Sequence, residues 1–178
     1  MANGFTAIRL LLAAPFAYFM MQGSRRAGLV TLAIFWVAAF TDYFDGPLAR
    51  RLGKATPWGG TFDHVSDFLF VAAGLFAGAA RGVWPWVLPI LVTAAFAQYT
   101  IDSYGSGRGR LRGSRLGRWN GILYFVPPCV DAFMRGMNWS WPRIPLRIFV
   151  WALVLSTLVS MGQRLAFREK LAAGSAQK

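Results

Sequence analysis

Six long apolar stretches follow one another along this chain of 178 residues, and short polar segments separate them. They cover residues 5–22, 26–44, 65–81, 83–101, 119–136 and 144–163. Several are shorter than the roughly 20 residues that a helix needs to cross a bilayer, so we expect some helices to extend beyond the hydrocarbon layer. Strands are excluded there because open sheet edges leave backbone groups unsatisfied in lipid. The pattern predicts an all-α integral membrane protein with six transmembrane helices. Because Arg9 interrupts the first apolar stretch, the chain is also compatible with an N-terminal juxtamembrane helix.

The basic residues account for the formal net charge of +12 and are concentrated in three places. These are the loops 50–60 and 105–118 and the tail 164–178, which lie on one side of the membrane if there are six spans. The positive-inside rule explains this distribution without a nucleic-acid partner. We therefore expect this side to be the cytoplasmic face of a bacterial inner membrane, with both chain ends on it. The same charges favour anionic membrane lipids.

Four of the seven acidic residues fall within one short stretch of the chain, at the end of the second apolar segment and the start of the third. They are Asp42, Asp45, Asp63 and Asp67. An ionisable group at membrane depth is costly and therefore indicates function. Four carboxylates close together also repel one another, so something positive must offset their charge.

Helical spacing indicates how these carboxylates meet. Two sets of residues each share one helix face: Asp42, Asp45 and Ala49 in the first, and Gly59, Asp63 and Asp67 in the second. The connection between them contains Gly53 and Pro57 and is typical of a short turn. Antiparallel helices would bring both faces together into a cage of hard oxygen ligands, which suits Mg²⁺ or Mn²⁺.

Two other ionisable residues have structural interpretations. His64 follows Asp63 directly, and on a helix we expect it to point away from the face of Asp63 and Asp67. Asp131 lies beside Pro127 and Pro128, where we expect a buried polar contact in a kinked helix.

The stretch from Asp42 to Asp67 follows a definite pattern: D-x-x-D-G-x-x-A-R, a gap of eight residues, then G-x-x-x-D-x-x-x-D. This pattern resembles the signature of the CDP-alcohol phosphotransferases, with every fixed position matched. The opening residues, from Asn3 through Thr6 to Arg9, also resemble the start of bacterial members that transfer phosphatidyl groups.

The resemblance implies a single membrane domain over residues 1–178, with six helices, a homodimeric assembly and a site that opens at the cytoplasmic interface. It also implies residue roles. Asp42, Asp45, Asp63 and Asp67 would bind Mg²⁺ or Mn²⁺, in two positions, and Asp67 would in addition act as general base. The residues around the CDP group would be Gly46, Ala49, Arg50 and Gly59.

The implied reaction transfers a phosphatidyl group from CDP-diacylglycerol, or a related CDP-alcohol, to the hydroxyl of an acceptor alcohol and releases CMP. Guanidinium groups suit phosphate oxygens, so the loop arginines are candidates for binding an acceptor that carries a phosphate. They are Arg108, Arg110, Arg112, Arg115 and Arg118. The opening residues favour glycerol 3-phosphate as acceptor, and inositol phosphate is the alternative. The same arginines are equally typical of a solvated, positive-inside loop.

Two other classes of protein use carboxylates within membranes. An intramembrane prenyltransferase holds a metal-bound diphosphate with helical aspartates, and a non-enzymatic transporter lines an ion path with them. The first would depend on a prenyl diphosphate, whereas the second would show ion flux without CMP release.

Overall fold

A computed structural model describes residues 2–51, 57–105, 115–139 and 143–176, and the side-chain surroundings within 7–41, 62–102, 115–139 and 143–167. The regular secondary structure in these ranges is entirely helical, which confirms the all-α prediction for this part of the chain. The helices are α1 (Ala2–Met21), α2 (Arg25–Arg51), α3 (Pro57–Ala80), α4 (Val87–Gly105), α5 (Arg115–Leu123), α6 (Val126–Gly136) and α7 (Arg143–Ala176).

Helices α5 and α6 follow each other almost directly. Only Tyr124 and Phe125 separate them, and the N–H of Tyr124 still donates to the carbonyl of Asn120, one turn earlier, at 2.9 Å. Pro127 and Pro128 supply no backbone N–H, so the run of helical hydrogen bonds is interrupted where α6 begins.

Helices α1 and α3 run in the same direction, side by side. Near their middle, the rings of Phe16 and Phe70 stack at 4.3 Å. Near their ends, Nη1 of Arg81 donates to the carbonyl of Met20 at 2.8 Å. Because α1 also packs against α2, it contacts both helices that carry the aspartates.

Helix α2 crosses α6 at very close range. A Cβ atom at Gly28 would lie 2.7 Å from both Cβ of Arg135 and the backbone nitrogen of Gly136. Only a residue without a side chain allows this approach, which is typical of helix pairs in membranes. The rings of Phe35 and Phe125 meet farther along the same pair, at 6.2 Å, so α2 and α6 are antiparallel.

An ionic cluster ties three helices together at the end of the bundle where α1 and α3 finish. Asp131 is buried and pairs with Arg81 and, at 3.0 Å, with Nε of Arg135. Nη1 of Arg135 also donates to the carbonyl of Gln22 at 2.7 Å. The prediction of a buried polar contact at Asp131 is confirmed.

The outer surface of the bundle carries large apolar side chains. Leu11 is 74% exposed, Ile144 70% and Ile148 66%. Two segments, Phe62–Ala80 and Arg143–Phe167, are long and apolar enough to cross a membrane, and the apolar segments Ala7–Met21 and Val87–Asp102 are shorter. The described residues thus support membrane association, and the count of six spans stays a prediction.

Candidate functional site

Helix α3 carries two of the four predicted aspartates at one end of the bundle. It begins at Pro57, whose fixed φ angle and missing N–H suit the first helical position. Asp63 and Asp67 follow one turn apart, with side chains that are 42% and 31% exposed. The predicted shared face on α3 is therefore present, close enough to solvent for ions and substrates to reach it.

Arg9 of α1 supplies the positive charge that this pair requires. Its side chain is 3% exposed, and Nη1 lies 3.3 Å from Oδ1 of Asp63. The same nitrogen is ion-paired with Oδ1 of Asp67. A buried guanidinium is stable only beside a counter-charge, so these ion pairs stabilise the contact between α1 and α3. The sequence signal for this partnership was a single arginine within an apolar helix.

The two α3 carboxylates fit a divalent metal as part of a larger ligand set. They present hard oxygen atoms, and they already share one cationic group, Nη1 of Arg9. Asp42 and Asp45 lie on α2, but their side chains fall outside the described residues. Within the described side chains no group of three or more metal-ligating residues occurs. The cage of four carboxylates therefore stays a prediction. The positions of Asp63 and Asp67 on α3 are compatible with that prediction.

A cavity of about 980 Å³ lies inside the bundle next to Asp67. Helix α3 faces it with residues 64, 67, 68, 70 and 71. His64 therefore lines the same cavity as Asp67, and the prediction that it points away was wrong. Residues three apart on a helix are neighbours, and the cavity is wide enough to contact both. The side chains from the other helices include Arg9, Phe35, Val92, Tyr99, Arg118, Tyr124, Thr157, Ser160 and Arg164.

Two arginines face the cavity from α5 and α7. Arg118 is exposed, whereas Arg164 packs against the ring of Tyr99 with its guanidinium carbon 5.2 Å from the ring centre. Nη1 of Arg164 is buried and has no hydrogen-bond partner within the described residues. Because the Arg164 side chain lines the cavity, its guanidinium group can donate hydrogen bonds to an anion bound there.

The remaining predicted residues are the loop arginines and the residues assigned to the CDP group. Of the loop arginines, Arg118 lines the cavity and Arg115 is exposed without lining it, while Arg108, Arg110 and Arg112 lie outside the described residues. Gly46, Ala49 and Arg50 belong to α2 and Gly59 to α3, in stretches whose surroundings are not described. Their assignment to CDP binding stays a prediction. Sequence reasoning missed the cavity positions of Arg9, Tyr99 and Arg164.

Hydroxyl groups line part of the cavity between α5 and α7. Oη of Tyr124 lies 2.7 Å from Oγ1 of Thr157, and Oγ1 of Thr157 donates to the carbonyl of Leu153 at 2.7 Å. Ser160 lies on the same face of α7 and also lines the cavity. Elsewhere the wall is largely apolar, as where the rings of Phe68 and Phe96 stack at 3.9 Å.

A helical bundle with apolar outer faces, whose internal cavity carries carboxylate and guanidinium groups at one end, defines a membrane-associated α-helical protein. Its sequence matches one family over almost all of its length. The chain belongs to the CDP-alcohol phosphatidyltransferase family, whose sequence model matches residues 1–165. The resemblance carried by the aspartate pattern is thereby confirmed.

Individual relatives are similar over part of the chain. A Mycobacterium tuberculosis protein named "Probable phosphatidylglycerophosphate synthase" is 34% identical over 95 residues, 52% of this chain and 46% of its own length. A Cereibacter sphaeroides CDP-diacylglycerol–glycerol-3-phosphate 3-phosphatidyltransferase is 31% identical over 130 residues, 70% of this chain and 59% of its own. An archaetidylinositol phosphate synthase of Pyrococcus horikoshii is 34% identical over 113 residues, 63% and 56%. The chain thus spans about half the length of the curated relatives it matches.

Proposed function

We propose that this protein transfers a phosphatidyl group from CDP-diacylglycerol, or a related CDP-alcohol, to the hydroxyl of an acceptor alcohol and releases CMP. One observation carries the proposal. Asp67, the last aspartate of the family pattern, faces a large and mainly apolar cavity at its charged end. Such a cavity suits an amphiphile whose reacting phosphate lies beside the carboxylate. This family assignment favours the transferase over a prenyltransferase or a transporter.

Asp67 is the proposed general base. It removes the proton from the acceptor hydroxyl, and the oxygen attacks the phosphorus atom attached to the lipid. The bond between that phosphorus and the bridging oxygen breaks, and CMP leaves with the electron pair. The ion pair with Arg9 orients the Asp67 carboxylate before the acceptor arrives. His64 lines the same cavity and is exposed, so it is the proposed group that passes the proton from Asp67 to solvent.

The donor headgroup is proposed to bind between α2 and α3. Asp42, Asp45, Asp63 and Asp67 would hold Mg²⁺ or Mn²⁺, in two positions, and the bound ions would supply positive charge that offsets the charge developing on the diphosphate. Gly46, Ala49, Arg50 and Gly59 are the proposed contacts of the CDP group, as the family pattern implies.

The acceptor is proposed to carry a phosphate group. Arg118 and Arg164 support this because both line the cavity and the Nη1 atom of Arg164 is buried without a partner in the described part of the chain. Arg108, Arg110, Arg112 and Arg115 are proposed to attract the phosphate on its way in. Glycerol 3-phosphate is the first candidate, and the name of the Pyrococcus relative makes inositol phosphate the second.

We further propose that residues 1–178 act as one membrane domain with six spans. The site, the basic loops and both chain ends would lie on the cytoplasmic side of a bacterial inner membrane. The contacts support this topology, because Arg9, Asp67 and Arg164 lie at one end of the bundle while Arg81 and Arg135 lie at the other. A homodimer is proposed on the family resemblance.

The proposal is tested by following CMP release from CDP-diacylglycerol with purified protein in detergent. Glycerol 3-phosphate, inositol phosphate, inositol, serine and choline are supplied separately, with Mg²⁺, with Mn²⁺ or with chelator. We expect release only with metal and a phosphate-bearing acceptor, and a loss of at least about a hundredfold in Asp67→Asn.

The matched control is Ser66→Ala. Ser66 precedes Asp67, is buried, donates to the carbonyl of Phe62 and does not line the cavity, so this variant keeps its activity. Near-normal turnover in Asp67→Asn would remove Asp67 as base. No CMP release with any acceptor, together with no binding of the CDP-lipid, would overturn the proposed class of reaction.

A further inference from the structure

The hydroxyl-lined part of the cavity lies at a definite depth below its charged end. Arg164, Ser160 and Thr157 share one face of α7, so Ser160 is about 6 Å and Thr157 about 10 Å along the helix from Arg164. Apart from Tyr99, α2 and α4 line the cavity with apolar side chains: Phe35, Ala38, Ala39, Val92, Ala95 and Phe96. The wall formed by α7 is therefore more polar than the walls formed by α2 and α4.

These polar groups exceed what is needed to hold α5 to α7. One contact between the two, Tyr124 to Thr157, is complete, and a second joins Oγ of Ser156 to Oδ1 of Asn120 at 2.7 Å. Asn120 is only 2% exposed, yet its Nδ2 has no hydrogen-bond partner within the described residues. Asn120 does not itself line the cavity, but its amide approaches the hydroxyl of Tyr124, which does. A buried amide at this position can reinforce a hydrogen bond that Tyr124 makes to a ligand.

The hydrogen bonds of Tyr124 can be rearranged without loss. Thr157 can donate to Tyr124 in place of Leu153, because the carbonyl of Leu153 also accepts the helical N–H one turn later. The O–H of Tyr124 is then free to donate into the cavity. Nδ2 of Asn120 can at the same time donate to the phenolic oxygen of Tyr124. The wall can thus present a donor to an acceptor atom on a ligand.

The order of polarity along this wall matches that of an ester-linked lipid: a charged headgroup, then carbonyl groups, then hydrocarbon. Resting on the proposed function, we infer that Tyr124, supported by Thr157, Ser160 and Asn120, binds an ester carbonyl of the lipid donor. Tyr124 is then a positioning residue that favours diester over diether CDP-lipids, because an ether oxygen is a poorer hydrogen-bond acceptor and places no carbonyl at this level.

The test compares kcat/KM for CDP-diacylglycerol with that for its diether analogue of the same chain length. We expect the native protein to prefer the diester by about tenfold, the value of one good hydrogen bond, and Tyr124→Phe to bring the ratio close to one. Ser160→Ala should reduce the ratio partly. Thr31→Val is the matched control, since Thr31 is buried on α2, donates to the carbonyl of Ala27 and does not line the cavity.

A loss of stability alone would lower both rates together and leave the ratio unchanged. An unchanged ratio in Tyr124→Phe would overturn the inference even though CMP release proves the reaction. A raised KM for the acceptor with the ratio unchanged would also overturn it and place the acceptor alcohol at this wall. Absence of CMP release from either lipid would instead contradict the proposed function.

Discussion

Arg9 of α1 and Asp67 of α3 form an ion pair at the mouth of the cavity, and the same guanidinium nitrogen also reaches Asp63. One buried cation therefore serves two carboxylates that repel each other. Any ion or ligand that approaches Asp67 does so beside this guanidinium.

Replacing Arg9 by glutamine removes the cation and leaves both carboxylates uncompensated. We expect the melting temperature in chelator to fall by several degrees, since the partly exposed carboxylates limit the cost to roughly 1–2 kcal/mol. Mn²⁺ should raise the melting temperature of Arg9→Gln more than that of the native protein, because the metal replaces the lost charge. Thermal unfolding in detergent measures both. Arg26→Gln, at an exposed position, is the control, and equal Mn²⁺ shifts would contradict the prediction.

Arg164→Ala should weaken binding of a phosphate-bearing acceptor. The Arg164 side chain lines the cavity and its guanidinium suits phosphate oxygens, so we expect KM for the acceptor to rise by about ten- to a hundredfold with KM for the CDP-lipid nearly unchanged. Arg164→Lys should recover part of the loss. Steady-state kinetics with each substrate varied provides the measurement. Arg147→Ala, at an exposed position on the same helix, should have native constants.

Asp131→Asn tests the ionic cluster at the far end. It leaves the partly buried Arg81 and Arg135 without their carboxylate, and we expect a loss of about 3 kcal/mol in stability. The activity of the protein that remains folded should be close to native, because the cluster lies at the opposite end from Asp67. Denaturant unfolding and specific activity after size exclusion give the two readouts. Loss of activity without loss of stability would show that the ends are coupled.

Gly78→Ala should be strongly destabilising. A Cβ atom there would lie 2.0 Å from Cζ2 of Trp84, whose indole is buried and donates to the carbonyl of Leu75. We expect a loss of about 2–3 kcal/mol as the tryptophan shifts. Gly162→Ala is the comparison, because nothing lies within 4 Å of its added Cβ and a helical alanine is favoured there. Thermal unfolding of Gly78→Ala and Gly162→Ala is the measurement. Similar melting temperatures for the two variants would show that Trp84 can move aside without cost and would contradict the prediction.

Features with a local period were readable in advance. The apolar stretches predicted helices, and the placement of Asp131 beside Pro127 and Pro128 predicted a buried polar contact. All of these are confirmed in the described residues. They could be predicted because helix geometry relates residues only three or four positions apart.

His64 shows the limit of such reasoning. Its spacing from Asp63 predicted that it would point away, but which face of α3 meets the cavity depends on how α1 and α4 pack against that helix. His64, Asp67 and Phe68 line the cavity, whereas Asp63 pairs with Arg9 and does not line it.

The aspartate pattern in the sequence was by itself enough to establish the family, since spacing along two helices is a local property. Which cation pairs with Asp63 and Asp67 was decided only by tertiary structure. Arg9 and Asp63 are 54 positions apart, and the arginines and hydroxyl groups of α5 and α7 are farther away still. Contacts over such separations arise from the packing of whole helices, where apolar burial and close approach at glycines set the register. No helical period in the sequence encodes that register.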